Sequence, residues 1–114
     1  DTEEQQADRF AAIQDATVAA TRVPLEIAEV TAEAVALAAP LAEKGSKLAV
    51  SDAGIAAILG EAAVYSALMN VKINLPTLED EDFVAEVRRR MARVTAGLAE
   101  KRAAILQVVE ERIG

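Results

Sequence analysis

The sequence predicts an all-α protein, and three observations predict it. Apolar residues recur at three- and four-residue spacing along most of the chain, whereas alternation with a period of two is nowhere sustained. Only five Gly and three Pro interrupt 114 residues, so long segments can stay helical. Aromatic residues make up 3% of the chain and hydrophobic residues 53%, so the core must consist of small aliphatic side chains. We expect about four helices in one elongated antiparallel bundle.

Two helices are predicted in the first 44 residues. Thr2 and Gln5 have the spacing of a capping box, so the first helix begins after Thr2 and runs to about Thr21. Pro24 suits the first turn of a second helix, where a missing N–H costs nothing. That helix ends before Gly45, with a kink or an early end near Pro40. The predicted inner faces are Phe10, Ile13, Thr17 and Ala20 in the first helix, and Ile27, Val30, Ala34, Leu37 and Leu41 in the second.

The third predicted helix, about residues 52–71, is apolar between two polar ends. Ser51 is its expected N-cap, and Asp52 in the first turn is favoured by the helix dipole. Gly60 costs about 1 kcal/mol against Ala in a helix interior, so we expect another helix to approach closely there. Asn70 would place an amide at the end of a dry interface, where it needs a structural partner or a ligand. The interface itself would be formed by the small residues Ala53, Ala56, Gly60, Ala63 and Ala67.

The last predicted helix starts between Thr77 and Asp82 and runs to Ile113, after a loop that Pro76 keeps extended. At about 30 residues it would be about 45 Å long. We expect a compact chain of this size to leave part of such a helix uncovered, and that part to pack on another chain. Its apolar side is lined by Phe83, Val87, Met91, Val94, Leu98, Ile105 and Val109.

Composition excludes several classes of function. The net charge of −7 argues against a nucleic-acid-binding protein. With no Cys and no His, the chain offers no thiolate or imidazole for catalysis and no ordinary zinc ligands. The acidic N-terminus is unlike a signal peptide, and the longest apolar run is interrupted by Glu61 before the roughly 18 residues of a membrane span. We expect a cytoplasmic protein without membrane contact.

Three polar features have both a structural and a functional interpretation. Glu61 could form an ion pair with an arginine of the last helix, or could donate a proton near neutral pH. Ser51 and Asp52 could be no more than a capped helix start. The basic run "RRRMAR" at residues 88–93 could be a solvated face, or part of it could reach an anionic ligand bound on a partner chain.

One long stretch carries a resemblance to a known family. The segment "AVSDAGIAAILGEAAVYSALMNVKINLPTLEDEDFVAEV" resembles the cyclodeaminase/cyclohydrolase family, which includes the cyclodeaminase domain of formiminotransferase-cyclodeaminase. In that family a Ser-Asp pair begins an Ala-rich helix that ends in an Asn-Val-x-Ile-Asn-Leu loop. The upstream "TRVPLEIAEV" is similar to the helix after the family's Val-Pro turn, so the resemblance covers nearly the whole chain. The matching positions are Ser51, Asp52, Asn70, Val71, Ile73, Asn74 and Leu75.

The resemblance implies a folate one-carbon enzyme. Family members convert 5-formiminotetrahydrofolate to 5,10-methenyltetrahydrofolate with release of ammonia, or hydrolyse the methenyl bridge. They have a tetrahydrofolate derivative as substrate and no tightly bound cofactor, and they form dimers with the folate site at a subunit interface. We therefore expect a homodimer. The implied substrate-binding residues are Ser51, Asp52, Asn70 and Asn74, with Lys72 near the anionic glutamate tail.

The resemblance does not supply the catalytic acid. It places the family's proposed proton-donating Asp in a region before the equivalent of residue 1, so residues 1–114 correspond to the C-terminal part of a single cyclodeaminase-like domain. A preceding region and dimerisation are then expected to complete the bundle. Within the chain, the remaining candidates for the acid are Asp52 and Glu61. The alternative function is a non-catalytic helical module for oligomerisation that retains the fold.

Overall fold

The computed structural model describes residues 1–114 and contains only helices, turns and loops. The all-α prediction is confirmed. The molecule measures 70 × 21 × 16 Å, so the predicted elongated shape is also confirmed. Its elements are α1 (Glu3–Lys44), α2 (Val50–Asn74), a 3-10 turn (Leu75–Thr77), α3 (Glu81–Thr95) and α4 (Leu98–Ile113).

The helices form three antiparallel rods. α2 returns along α1, so that Gly60 lies against Val35 near the middle of both helices. α3 and α4 then follow one another as the third rod, running in the direction of α1. Arg90 of α3 accordingly reaches Glu29 of α1, and Val109 of α4 packs on Gly54 of α2.

α1 is one helix of 42 residues, so the predicted break before Pro24 is wrong. Its start agrees with the prediction: the Gln5 N–H donates to Thr2 Oγ1 over 3.1 Å, and the Thr2 N–H donates to Gln5 Oε1 over 3.0 Å. Pro24 and Pro40 both lie inside the helix. Thr21, Leu25 and Ala28 are buried around Pro24. Burial on both sides of Pro24 favours continuing the helix over ending it.

The predicted last helix is divided in two at Ala96 and Gly97. Gly97 adopts the left-handed region (φ +70°), which suits glycine and ends the regular helix of α3 before α4 begins. The predicted lining is nevertheless confirmed, because Phe83, Val87, Leu98, Ile105 and Val109 are buried, with Met91 and Val94 packed partly against them. This rod is covered by α1 and α2 of the same chain. The expectation that part of it packs on another chain stays a prediction.

α2 begins at Val50, two residues earlier than predicted, and Ser51 does not cap it. The N-cap position is Ala49, without a side-chain hydrogen bond, and Ser51 lies in the first turn beside Asp52. The close approach at Gly60 is confirmed: a Cβ there would lie 2.2 Å from Val35 Cγ2. The predicted seam of small residues is only partly buried. Ala53 and Ala67 are in the core, whereas Ala56 and Ala63 are exposed.

The predicted inner faces of the first two helices are largely exposed, which corrects that part of the prediction. α1 carries two apolar stripes, and the stripe of Thr21, Leu25, Ala28, Val35, Ala38 and Ala42 is the buried one. The other stripe of α1 is exposed, and α2 also carries exposed apolar side chains, so that the two helices together present an exposed apolar surface. We call this surface the open face. Its large members are Val23, Ile27, Val30, Leu37 and Leu41 of α1, and Ile55, Ile58, Leu59, Met69 and Ile73 of α2.

One segment is long and apolar enough to cross a membrane by length and composition alone. It is Val50–Thr77. The most apolar 18 consecutive residues within it have a mean hydropathy of 1.4, and 33% of them are buried inside the fold. The expectation that no segment reaches this length is wrong. Core helices of soluble proteins meet the same criterion, and here Val64, Leu68 and Val71 pack in the core.

Candidate functional site

Two of the predicted site residues, Asn70 and Asn74, line one cleft between α1 and the end of α2. The cleft has a volume of about 500 Å³. Four of its seven lining residues are hydrophobic, and none carries an ionisable side chain. It can therefore hold an apolar, flat group and offer amide hydrogen bonds at one end. The lining residues are Ala20, Val23, Pro24, Ile27, Asn70, Ile73 and Asn74.

The two amides of the cleft differ in what they already bind. Asn74 is half-buried, and its Nδ2 donates to the Ala20 carbonyl over 3.4 Å. Asn70 is exposed and makes no hydrogen bond through its side chain, so the prediction of an amide at the end of a dry interface is wrong. Asn74 thus has a structural partner, whereas the Asn70 amide is free to meet a ligand.

Gln14 holds the loop that follows α2 in place, a role that no sequence pattern indicates. Its Nε2 donates to the Thr77 carbonyl over 2.8 Å, and its Oε1 accepts from the Glu79 N–H over 3.1 Å. Thr77 in turn donates through Oγ1 to the Asn74 carbonyl over 2.8 Å. The two hydrogen bonds of Gln14 join residues more than 60 positions apart, so no local pattern could have predicted them.

Ser51 and Asp52 lie at the other end of α2, far from the cleft. Asp52 is 18 residues before Asn70, which is about 27 Å along the helix axis. Both Ser51 and Asp52 are exposed, and Asp52 forms no ion pair within the chain. Lys72 is also exposed and lies outside the lining of the cleft. A single chain therefore does not bring the five predicted substrate-binding residues into one pocket.

Glu61 is joined to α4, which confirms the ion-pair interpretation. Glu61 Oε1 lies 2.9 Å from Arg102 Nε, and the two side chains retain 20% and 34% of their exposure. The pair lies on the side of α2 that faces α4, whereas the cleft lies on the side that faces α1. The Glu61 carboxylate is thus held away from the cleft.

The basic run of α3 is partly structural. Arg90 donates to both carboxylate oxygens of Glu29, from Nε over 3.0 Å and from Nη2 over 2.5 Å. These hydrogen bonds lower the pKa of Glu29 and raise the pKa of Arg90, against the opposing effect of partial burial. Arg88, Arg89 and Arg93 are exposed, which agrees with a solvated face.

A second, larger cavity of about 680 Å³ lies between α1 and the α3–α4 junction. Glu26, Glu33, Arg93 and Lys101 are among its lining residues, so it carries charges of both signs. No group of three or more acidic side chains in the chain is placed to hold a metal ion. Neither feature adds to the chemistry of the cleft.

Comparison with known proteins decides the family. The sequence profile described as formiminotransferase-cyclodeaminase matches residues 1–93, which include α1, α2, the loop and most of α3. The chain belongs to the formiminotransferase-cyclodeaminase family. The resemblance found in the Ser-Asp and Asn-Val-x-Ile-Asn-Leu motifs is thereby confirmed.

Relatives in this family have two different names. The chain is 35% identical over 112 residues to a methenyltetrahydrofolate cyclohydrolase of Methylorubrum extorquens, covering 98% of the chain and 54% of that protein. It is also 35% identical over 112 residues to the formimidoyltransferase-cyclodeaminase of Sus scrofa, covering 98% of the chain and 21% of that protein. The enzyme of Rattus norvegicus is 31% identical over 111 residues, covering 97% of the chain and 20% of that protein. The chain thus spans about half of the first relative and about a fifth of the other two.

Proposed function

We propose that this protein binds a reduced folate and acts at its one-carbon unit. The reaction is closure of 5-formiminotetrahydrofolate to 5,10-methenyltetrahydrofolate with loss of ammonia, or hydrolysis of the methenyl bridge. The observation that supports it is the cleft beside Asn70, because the family motif that ends α2 lies at an apolar pocket with a free amide. The two named activities match the chain with equal identity, so both belong to the proposal.

The chemistry of a reduced folate suits this cleft. The pterin has two flat faces that can lie on Val23, Ile27 and Ile73 and an edge of hydrogen-bond donors and acceptors that the Asn70 amide can match. Holding N10 near the reacting carbon supplies much of the acceleration in a ring closure. Loss of ammonia also requires a proton donor, and the lining of the cleft contains none.

The proposal includes the expected assembly and setting. We propose a cytoplasmic homodimer that uses a tetrahydrofolate derivative as substrate, without a tightly bound cofactor and without membrane contact. The open face supports self-association, because exposed apolar surface on this scale marks an interaction site in most soluble proteins.

A non-catalytic helical module is the second candidate function. The absence of an ionisable side chain from the cleft favours it, since a scaffold needs the packing of α1 and α2 but no proton donor. Such a module would keep the open face and would bind no folate.

One experiment separates the two candidates. The absorbance of 5,10-methenyltetrahydrofolate is followed in the presence of the chain, with either the formimino substrate or the methenyl compound supplied. Binding or turnover of one of them, lost in Asn70→Ala and retained in Arg89→Ala on the solvated face of α3, supports the folate function. Unchanged absorbance in both arms, with no binding by calorimetry, would leave the scaffold as the better proposal.

A further inference from the structure

We propose that Gln14 is a positioning residue for the folate cleft. It joins the turn after α2 to α1, and so fixes the separation of the two helices that form the walls of the cleft. The proposal rests on the folate function and assigns to that site a residue outside its lining. Gln14 would not touch the ligand. It would hold Asn74, and through α2 the amide of Asn70, at the distance from α1 that the ligand requires.

The first argument is the geometry of the Gln14 contact. Its carboxamide donates to the Thr77 carbonyl over 2.8 Å and accepts from the Glu79 N–H over 3.1 Å. Leu78 between them is extended (φ −88°, ψ 134°), so the two backbone groups point to the same side of the chain, as in a β-ladder. Among side chains that are uncharged at neutral pH, only a carboxamide carries a donor nitrogen and an acceptor oxygen on one carbon. The contact is therefore specific for this side chain.

The second argument is the place of the contact. Thr77 also donates through Oγ1 to the Asn74 carbonyl over 2.8 Å, so the turn is bonded to the residue that ends α2 and lines the cleft. On α1, Gln14 lies six residues before Ala20, the first residue of the opposite wall, which is about 9 Å along the axis. The two walls are thus joined at their common end, by the Gln14 contact and by the bond from Asn74 to the Ala20 carbonyl.

The third argument is that the other contacts at this end are weak or without direction. The hydrogen bond between Asn74 and Ala20 is long, at 3.4 Å, and Ala20 is exposed. Leu75 and Leu78 anchor the turn in the core, but apolar burial is non-directional. Gln14 is half-buried and adds two hydrogen bonds, which are directional. Without them the turn, and Asn74 with it, can move away from α1.

Calorimetric titration with 5,10-methenyltetrahydrofolate tests the role of Gln14. Gln14→Leu keeps the approximate size of the side chain and removes both hydrogen bonds. We expect it to weaken binding by about tenfold, the scale of ordering one mobile group on binding. The control is Gln6→Leu, at an exposed position of the same helix, which should bind as the native protein does. Binding by Gln14→Leu within about twofold of the native affinity would contradict the proposal.

A second variant separates positioning from general destabilisation. In Gln14→Glu the ionised side chain can accept from the Glu79 N–H but cannot donate to the Thr77 carbonyl. The protonated carboxyl again carries both a donor and an acceptor, so the affinity relative to native protein should recover between about pH 7 and about pH 4. Asp15, Glu79 and Asp80, the carboxylates nearest to the contact in sequence, titrate in both proteins, so the comparison removes their contribution. A ratio that is constant with pH would reject the paired contact as the cause.

Hydrogen exchange provides a reciprocal test. If the Gln14 contact favours binding, the bound ligand must stabilise that contact by the same factor. Saturating 5,10-methenyltetrahydrofolate should therefore slow exchange of the Glu79 N–H by about tenfold in the native protein. The Gln5 N–H, which is bonded to Thr2 at the start of α1, is the control and should not change. Unchanged exchange at Glu79 in protein that binds the ligand would show that Gln14 only stabilises the fold.

The outcomes separate this inference from the proposed function. Native protein that does not bind 5,10-methenyltetrahydrofolate at all would overturn the folate function, and the positioning role with it. Native protein that binds, with unaltered affinity in Gln14→Leu and Gln14→Glu, would overturn the role of Gln14 alone. If Gln14→Leu does not fold, the pH profile of Gln14→Glu and the hydrogen exchange of the native protein still decide the question.

Discussion

Asn74 supplies the hydrogen bond that Pro24 removes from α1. In a regular helix the N–H of residue 24 would donate to the carbonyl of Ala20, but proline has no N–H. The Asn74 side chain donates to that carbonyl instead, over 3.4 Å. One amide thus satisfies the unpaired carbonyl, links the end of α2 to α1, and fixes one wall of the cleft.

Asn74→Ala should destabilise the protein by about 0.5–1 kcal/mol, because it removes the hydrogen bond of the half-buried Asn74 side chain to the Ala20 carbonyl. In a Pro24→Ala background the helix restores its own N–H donor, so the same change should cost less than half as much. Urea unfolding of the four variants gives the coupling energy directly. If Asn74→Ala lowers the free energy of unfolding equally in both backgrounds, the Asn74 amide does not compensate for the N–H that Pro24 lacks.

Gly60→Ala should be destabilising, although alanine is the better helix former by about 1 kcal/mol. The added Cβ would lie 2.2 Å from Val35 Cγ2, so α1 and α2 must separate or Val35 must change rotamer. We expect a net loss of about 1–3 kcal/mol. Combining it with Val35→Ala makes room for the methyl group, so the double variant should lose less than the sum of the single changes. Thermal unfolding of the native protein, the two single variants and the double variant measures these losses. If the losses are additive, the methyl group of residue 60 does not contact Val35.

The sequence predicted the helices better than it predicted which faces they bury. The apolar periodicity of α1 supports two stripes, and Val23, Ile27 and Val30 form as regular a pattern as Leu25 and Ala28. Which of the two stripes becomes buried depends on where α2 packs. That position depends on the contact between Gly60 and Val35, which are distant in sequence. Small size at residue 60 predicted that some helix comes close. It did not indicate which residue would lie there.

The breaks between helices were misplaced for a related reason. Local rules predict a helix start at Pro24, whereas burial of Leu25 and the Asn74 hydrogen bond favour a continuous α1 through that residue. At Gly97 the pattern predicts helix interior, because the apolar spacing continues across it from Val94 to Leu98. Its positive φ is a backbone property that spacing does not reveal. For the site, the motifs identified the residues, but only the fold shows that Asp52 and Asn70 lie at opposite ends.

Stability in acid should depend on Glu29. Its hydrogen bonds to Arg90 lower its pKa in the folded protein below the ordinary value of 4.5. Stability from this group is therefore present above pH 4.5 and is lost as the pH falls through the lowered folded pKa. Glu29→Gln should cost about 1 kcal/mol at neutral pH and make stability less dependent on pH in the acid range. Urea unfolding between pH 2 and pH 7 tests this, with Glu81→Gln, an exposed and unpaired carboxylate of α3, as the control.

The Glu61–Arg102 pair should be structural. Removing one member leaves a charge at a half-buried position, so Arg102→Met should destabilise by more than the double variant Glu61→Gln, Arg102→Met. If Glu61 only joins α2 to α4, the double variant should bind 5,10-methenyltetrahydrofolate as the native protein does. Loss of binding in a double variant with native helicity would make Glu61 a member of the folate site.

Asn70 and Asn74 should separate into a binding residue and a structural residue, although both line the same cleft. Asn70 is exposed and has no partner, so Asn70→Ala removes no hydrogen bond from the folded chain and should change stability by less than about 0.5 kcal/mol. It should nevertheless weaken binding of 5,10-methenyltetrahydrofolate by about tenfold, the loss expected for one ligand hydrogen bond of roughly 1.4 kcal/mol. Asn74→Ala should lower the midpoint of unfolding first, and its effect on binding should largely disappear in the Pro24→Ala background, where α1 no longer needs the amide. Calorimetric titration and urea unfolding of the same preparations give both numbers for each variant. If Asn74→Ala weakens binding equally in both backgrounds, the Asn74 amide also contacts the ligand. Asn70 would then not be the only amide of the cleft that binds folate.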